Sequence, residues 1–325
     1  MRYIHHHHTD PAFNLAAEQW LLHNTDEDIF MLWRNRKAVI VGRNQNTASE
    51  IDEAFVRDNG IPVIRRMTGG GAVFHDLGNV NFSFIQIGNQ SRQLDFHRFT
   101  APILEALQAM GVDCRFEGRN DLVIDGMKFS GNAQLIEKDR VLHHGTLLFS
   151  AQMADLSGAL RANPAKFEDK AVKSVQKRVT NISAHLPEPM DVEAFIARVM
   201  DFVSGGASGE ALGLRPEEEA GIEELKQAKY ATWDWNFGAS PDYGFTRCKK
   251  TPGGLVEAHL DVHQGRIRAA RIFGDFFGVR PVRELETLLC GRRHERGDIR
   301  DALTGTDMNE FIRGVDIETF LDCLF

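Results

Sequence analysis

The sequence predicts an α+β (α/β) fold: a large domain with a mixed, largely antiparallel β-sheet flanked by helices, followed by a small α+β accessory domain. Three observations predict it. Residues 122–124, 127 to about 136, and 141–149 are strand-like runs joined by the tight-turn signals Asp125-Gly126 and Glu137-Lys138-Asp139, which makes a meander. Residues 96–110 put Phe99, Ile103, Leu104, Leu107 and Met110 on one helical face and stop at Gly111, so an amphipathic helix lies against that sheet. The pattern then changes after Ala239-Ser240-Pro241: residues 255–262 alternate, turn at His263-Gln264-Gly265 and return through 267–273, with helical stretches from 282 onward. The domains are accordingly expected at 1–243 and 244–325.

The 325 residues exceed what one compact core usually organises, which supports the division. A net charge of −8 argues against nucleic acid as the main partner, because backbone binding needs a basic face. Cys114, Cys248, Cys290 and Cys323 are far apart and form no CxxC, so neither a zinc knuckle nor a disulfide framework is suggested. No apolar run approaches the roughly 20 residues of a membrane helix, and no signal-peptide core opens the chain. A soluble, cytoplasmic monomer without a membrane partner is the expectation.

Taken in order, His5 to His8 have the composition of a metal-binding run or an engineered tag, but are read as a strand end in which alternate rings face opposite ways, and no metal role is assigned to them. Phe13, Ala16, Ala17, Trp20 and Leu21 recur at helical spacing behind Thr9-Asp10-Pro11, a helix start. Residues 29–33 and 38–41 read as two strands of a hairpin across the polar turn 34–37. Ser49 and Asp52 suggest a capping box, opening a helix that ends at Asn59-Gly60. Residues 61–64 and 80–84 are strands on either side of a glycine-rich loop. Residues 166–179 form a basic stretch, read as a solvated face or a fold over phosphate; 191–203 is a helix, and 204–209 a surface connection.

Three stretches carry the chemistry. Arg65-Arg66-Met67-Thr68-Gly69-Gly70-Gly71-Ala72-Val73-Phe74-His75 lets the backbone approach a ligand where no Cβ intervenes, and its arginines supply countercharge, as an anion-binding loop requires. A glycine-rich turn is the simpler alternative. Gly118-Arg119-Asn120-Asp121 with Lys128 offers a point charge for a carboxylate or phosphate and a carboxylate for Mg²⁺, or else two surface residues. His143-His144-Gly145-Thr146 holds a candidate ligand-facing or packed histidine. No Rossmann or P-loop motif is present.

Together these segments resemble the lipoate–protein ligase family: residues 65–79 (RRMTGGGAVFHDLGN), 118–134 (GRNDLVIDGMKFSGNAQ), 143–148 (HHGTLL), 173–182 (KSVQKRVTNI) and 232–238 (TWDWNFG). Residues 272–278 (IFGDFFG) are similar to the family's Gram-positive members. The resemblance implies two steps: lipoate and ATP give lipoyl-adenylate and pyrophosphate, and an acceptor lysine then takes the acyl group. It implies that Arg66, Gly71, Ala72, Val73, Phe74, Asn120, Lys173 and Val175 bind ATP or the adenylate, with Lys128 catalytic and reaching both substrates. Arg65, Gly69, Gly70, His75 and His144 would line the lipoyl side, and Asp121 the metal. The implied acceptors are apo lipoyl domains of 2-oxo acid dehydrogenase acyltransferase subunits and the glycine-cleavage H protein. The rival within the superfamily is a lipoyl or octanoyl carrier-to-carrier transferase using a cysteine, for which Cys114 is the nearest candidate; a lipoate or nucleotide sensor is the non-enzymatic rival.

Overall fold

The computed structural model describes residues 1–89, 93–152, 158–160, 167–168, 179–206 and 213–325. Described residues within Met1–Arg43, Val56–Leu160 and Ser174–Thr232 form one compact unit, and those within Asn44–Phe55, Arg161–Lys173 and Trp233–Phe325 form a second.

The first unit runs β1 (Arg2–His5), α1 (Pro11–Asn24), β2 (Ile29–Arg34), β3 (Ala38–Val41), β4 (Val63–Arg65), β5 (Val73–His75) and β6 (Asn79–Gln86). It continues with α2 (Phe96–Ala109), β7 (Arg115–Glu117), β8 (Asp121–Ile124), β9 (Met127–Glu137), β10 (Arg140–Leu148), α3 (Val192–Ser204) and α4 (Pro216–Leu225). Seven strands form a sheet in the order β1-β2-β6-β10-β9-β8-β7, antiparallel except for β1 beside β2. In a separate three-stranded sheet, β3 lies between β4, to which it is parallel, and β5, to which it is antiparallel.

Local chemistry accounts for the elements that frame the site. Asp10 caps α1 by accepting from the Ala12 N–H, and Pro11 occupies the first turn, where its missing N–H costs nothing. Asp125 (φ 50°) and Gly126 (φ 73°) take the left-handed backbone that a two-residue hairpin between β8 and β9 demands. Phe30, Phe82 and Phe84 of the large sheet pack with Phe99, Ile103 and Leu107 of α2 and Phe195 and Val199 of α3 in one apolar cluster.

Two local expectations are corrected. Strands β2 and β3 do not form a hairpin: β2 pairs with β1 and β6, whereas β3 belongs to the other sheet. Within the turn Arg36 and Lys37 are exposed, but Asn35 is buried and accepts from the Asn14 amide at 2.9 Å. The capping box at Ser49 is also absent. The helix breaks between Thr47–Glu50 and Glu53–Asp58, and Asp52 starts the second piece by accepting from the Phe55 N–H at 2.9 Å. The basic stretch 166–179 lies almost wholly outside the described residues, as does part of the connection 204–209.

In the second unit β11 (Phe167–Glu168), β12 (Tyr243–Thr251), β13 (Gly254–His263) and β14 (Arg266–Gly274) form an antiparallel sheet, with α5 (Val282–Leu289) and α6 (Arg296–Leu303) following. Strand β12 escaped the sequence reading because its second half, Arg247-Cys248-Lys249-Lys250, breaks the apolar alternation. His294 is buried here: the Tyr243 hydroxyl donates to Nδ1 and Nε2–H donates to the Leu324 carbonyl, both at 2.7 Å.

His143 illustrates the cost of a buried titratable ring. It stacks on Phe99 at 5.1 Å, neither nitrogen has a hydrogen-bond partner among the described residues, and burial lowers its pKa from 6.5 to about 3. The folded state therefore keeps it neutral while the unfolded chain takes up a proton below pH 6.5. The stability it contributes is complete above pH 6.5 and is lost as pH falls toward 3. His143→Phe is expected to unfold like the parent relative to its own pH 7.5 baseline but to lose about 2 kcal/mol less by pH 5. Urea titrations at the two pH values measure this; equal losses in both proteins would contradict it.

Candidate functional site

The glycine loop spans residues 66–72 and carries the chain from β4 across the end of β3 to β5. Its organiser is Arg66. Nε donates to Thr68 Oγ1 (3.0 Å), Nη1 to the Ile40 carbonyl (3.3 Å), and Nη2 to the carbonyls of Gly69 (2.7 Å) and Gly71 (2.9 Å). Because a trans peptide points its C=O and the next N–H in opposite directions, turning these carbonyls inward turns the Gly70 N–H away from the guanidinium. The cation thus shapes an anion-receptive backbone. Arg65 is wholly buried and donates from Nη1 to the carbonyls of Gly42 (3.0 Å) and Arg43 (2.9 Å). Burial lowers both guanidinium pKa values to about 10, which leaves them charged at neutral pH.

Gly42 was not singled out in the sequence, yet the loop rests on it. A Cβ there would stand 2.0 Å from the Gly70 carbonyl oxygen, and Gly70 itself has φ +96°. Gly42→Ala must displace backbone and is expected to cost about 1–3 kcal/mol. An unchanged urea midpoint for that variant would contradict the packing.

Behind the loop runs a buried chain of hydrogen bonds. Trp33 Nε1–H donates to Ser83 Oγ (2.8 Å), and the Ser83 hydroxyl donates to Glu18 Oε1 (2.6 Å). Glu18 meets His144 Nδ1 at 2.9 Å, and His144 Nε2 meets Thr68 Oγ1 at 2.7 Å. One proton arrangement satisfies every member: Nδ1–H donates to Glu18, and the Thr68 hydroxyl donates to Nε2 while accepting from Arg66. His144 therefore links α1, β6 and β10 to the glycine loop. Glu18 was missed because its partner is 126 residues away and nothing in its helical context marks it.

His75 is buried on β5, and its pKa is lowered to about 3, first by burial and then by the charge of Arg66. Asn14 donates to Asn35 Oδ1, which fixes that amide so that its nitrogen faces His75 Nδ1 at 3.0 Å. The ring is then neutral with its proton on Nε2, which has no hydrogen-bond partner among the described residues. Such a donor suits a carbonyl or carboxylate ligand. Val73 and Phe74 pair in register with Ile40 and Val39, and Ala72 is buried just before them.

Lys128 turns to Asp121: Nζ lies 2.8 Å from Oδ1, with the lysine side chain 26% exposed and the aspartate 8%. Its side chain passes over Gly131, where a Cβ would come within 2.8 Å of Nζ. The Gly131 N–H donates to Thr146 Oγ1 (3.1 Å), and Thr146 stands two residues from His144 on the same face of β10. Asn120 Nδ2 donates to the Asn132 carbonyl (2.6 Å), and its own carbonyl accepts from the Asn132 amide side chain (3.1 Å), which holds the β8 end beside β9. The glycine loop and His144 thus form one bonded group, and Lys128, Asp121 and Asn120 adjoin it through β9 and β10; His75 is held separately, through Asn35 and Asn14. Lys173 and Val175 lie outside the described residues.

Comparisons with known proteins agree along the whole chain. Residues 10–204 match the lipoyl protein ligase A/B catalytic domain, and residues 240–324 match the bacterial lipoate protein ligase C-terminus. Lipoate–protein ligase 1 of Staphylococcus aureus is 41% identical over 95% of this chain and 94% of its own. The lipoate–protein ligase LplJ of Bacillus subtilis is 39% identical over 97% of each chain. Among solved structures, a bi-partite lipoate protein ligase of Thermoplasma acidophilum, described with its E2 lipoyl domain, superposes with a TM-score of 0.60 at 25% identity. That match covers 74% of this chain and 97% of the other.

Proposed function

The chain belongs to the lipoate–protein ligase family, and from that premise we propose that it is an ATP-dependent ligase of the salvage type. It activates free lipoate to lipoyl-AMP and transfers the lipoyl group to a lysine of an acceptor domain. The observation that carries this reading is the Lys128 ammonium, held on Asp121 beside a face that also bears His144 and the glycine loop. Joining a carboxylate to a triphosphate needs charge neutralisation and alignment more than a base. The lipoate carboxylate attacks the α-phosphorus as the bond to pyrophosphate breaks. The acceptor amine then attacks the anhydride carbonyl, AMP departs, and the amine loses its proton.

In this reading Lys128 shifts between Asp121 and the reacting oxygens, and Arg66, Gly71, Ala72, Val73, Phe74 and Asn120 hold the nucleotide. His75 Nε2–H and the loop at Gly69 and Gly70 face the lipoyl carboxyl, with Arg65 and His144 fixing the loop from behind. Lys173 and Val175, which lie outside the described residues, are assigned to the adenylate on the resemblance alone. Asp121 offers a single carboxylate already neighbouring Lys128, which fits Mg²⁺ only where phosphate oxygens and water complete the shell, as is usual for this ion. The ion would supply charge neutralisation on the triphosphate. Residues 1–243 would be the adenylating domain and 244–325 the accessory domain; the matched ranges 10–204 and 240–324 support this. Lipoyl domains of 2-oxo acid dehydrogenase acyltransferase subunits and the glycine-cleavage H protein are the proposed acceptors.

Cys114 gives no support to a cysteine-dependent carrier transferase. It is buried, its thiol faces the Leu104 carbonyl, and burial pushes its pKa up to about 11, so no thiolate forms near neutrality. The deciding assay is pyrophosphate release from ATP, Mg²⁺ and free lipoate, with and without an apo lipoyl domain. Release in both settings, with an acceptor mass gain only when the domain is present, is expected. No release, combined with transfer from a lipoylated H protein, would replace the ligase reading.

A further inference from the structure

The four histidines at the start of the chain are sorted by the backbone into two pairs. Strand β1 ends at His5, and His6, His7 and His8 continue it. His6 and His8 pack toward α1. His8 stacks on Phe13 with ring centres 4.1 Å apart and meets Glu219 Oε1 at 3.0 Å, while His6 is buried edge-on to the same Phe13. His5 and His7 make the other pair, with ring centres 5.1 Å apart and planes at 66°. His7 is exposed and His5 partly so.

That spacing has a chemical meaning. An ion bound at about 2.1 Å by an imidazole nitrogen lies roughly 3.2 Å from the ring centre. Two such rings, subtending about 90–110° at the metal, have centres roughly 4.5–5.3 Å apart. The observed 5.1 Å falls inside this range. Besides His7, the charged side chains acting on His5 are Arg34 and Glu193, which are paired with each other, so they leave no uncompensated cation to oppose an incoming ion.

We propose that His5 and His7 form a two-nitrogen site for one divalent transition-metal ion, of the class that prefers imidazole: Ni²⁺, Zn²⁺ or Cu²⁺ rather than Mg²⁺. No set of three or more His, Cys, Asp or Glu side chains among the described residues converges on a metal position. Water therefore completes the shell, and the ion exchanges freely. The site is separate from the Lys128 and Asp121 pair and does not depend on the ligase reading.

Calorimetric titration of Ni²⁺ into the full-length protein, without nucleotide, tests this. One saturable site is expected, and His5→Ala and His7→Ala should each raise the dissociation constant by roughly tenfold or more. His8→Ala and Glu219→Gln should leave it within about threefold, since His8 stacks on Phe13 of α1 and pairs with Glu219 of α4. Circular dichroism of each variant separates loss of a ligand from loss of fold. Absence of saturable binding in the folded parent overturns the proposal, as does an equal loss in His8→Ala. Undiminished binding by a folded His5→Ala/His7→Ala double variant also overturns it and moves the ion elsewhere, for instance to Asp121.

Discussion

Lys128→Ala is expected to fold and to release no measurable pyrophosphate from lipoate and ATP, a loss of at least about 10³-fold. The size follows from what the side chain does. In the proposed reaction Lys128 brings a charge to the site where two anions are joined, and their repulsion falls on the reacting atoms. Folding should survive because the side chain is 26% exposed and lies over a glycine, not inside the apolar core. Removing it leaves Asp121, only 8% exposed, without its ammonium, at a cost of about 1–3 kcal/mol. Lys128→Ala/Asp121→Asn removes that penalty and serves as the control: it should regain stability but not activity. Near-parental turnover in the single variant would sink the assignment.

Glu18→Gln is expected to lower kcat/KM for lipoate by about 10- to 100-fold while shifting the melting temperature little. Glutamine keeps the shape of glutamate but can present an N–H to His144 Nδ1, which drives the ring proton to Nε2. Thr68 must then accept from both His144 and Arg66, and its own hydroxyl hydrogen loses its acceptor. The glycine loop should loosen as a result. Glu18→Ala should do worse, because the Ser83 hydroxyl and His144 Nδ1 both lose a buried partner. A double-mutant cycle with Thr68→Val measures the coupling. Strict additivity of Glu18→Gln and Thr68→Val would show that the two ends of the chain do not communicate through His144.

What the sequence revealed depended on whether the cause was local. The glycine loop, the β8–β9 turn and α2 were legible because left-handed turn residues and a 3.6-residue apolar period are written into a few consecutive positions. The turn at 34–37 misled because a polar residue in a turn has the same appearance whether it meets water or, like Asn35, a buried amide and an imidazole. Lys128 and Asp121 were visible as residue types, but their pairing required the β8–β9 register, with its irregularity at Leu122/Val123. The chain from Trp33 through Ser83 and Glu18 to His144 and Thr68 draws on α1, β2, β6, β10 and the glycine loop. Such a network is a property of the assembled sheet, and no window of sequence contains it.

The same network gives the protein an optical handle. Trp33 is one of four tryptophans, and its indole is buried at the end of the chain farthest from the loop. Emission from a buried indole responds to the hydrogen bond at its nitrogen, so a proton rearrangement at His144 reaches a fluorophore that also packs edge-on against His75. Substituting the other three, Trp20, Trp233 and Trp235, would leave a single native reporter of loop order. Binding at the glycine loop could then be followed in real time without attaching a label.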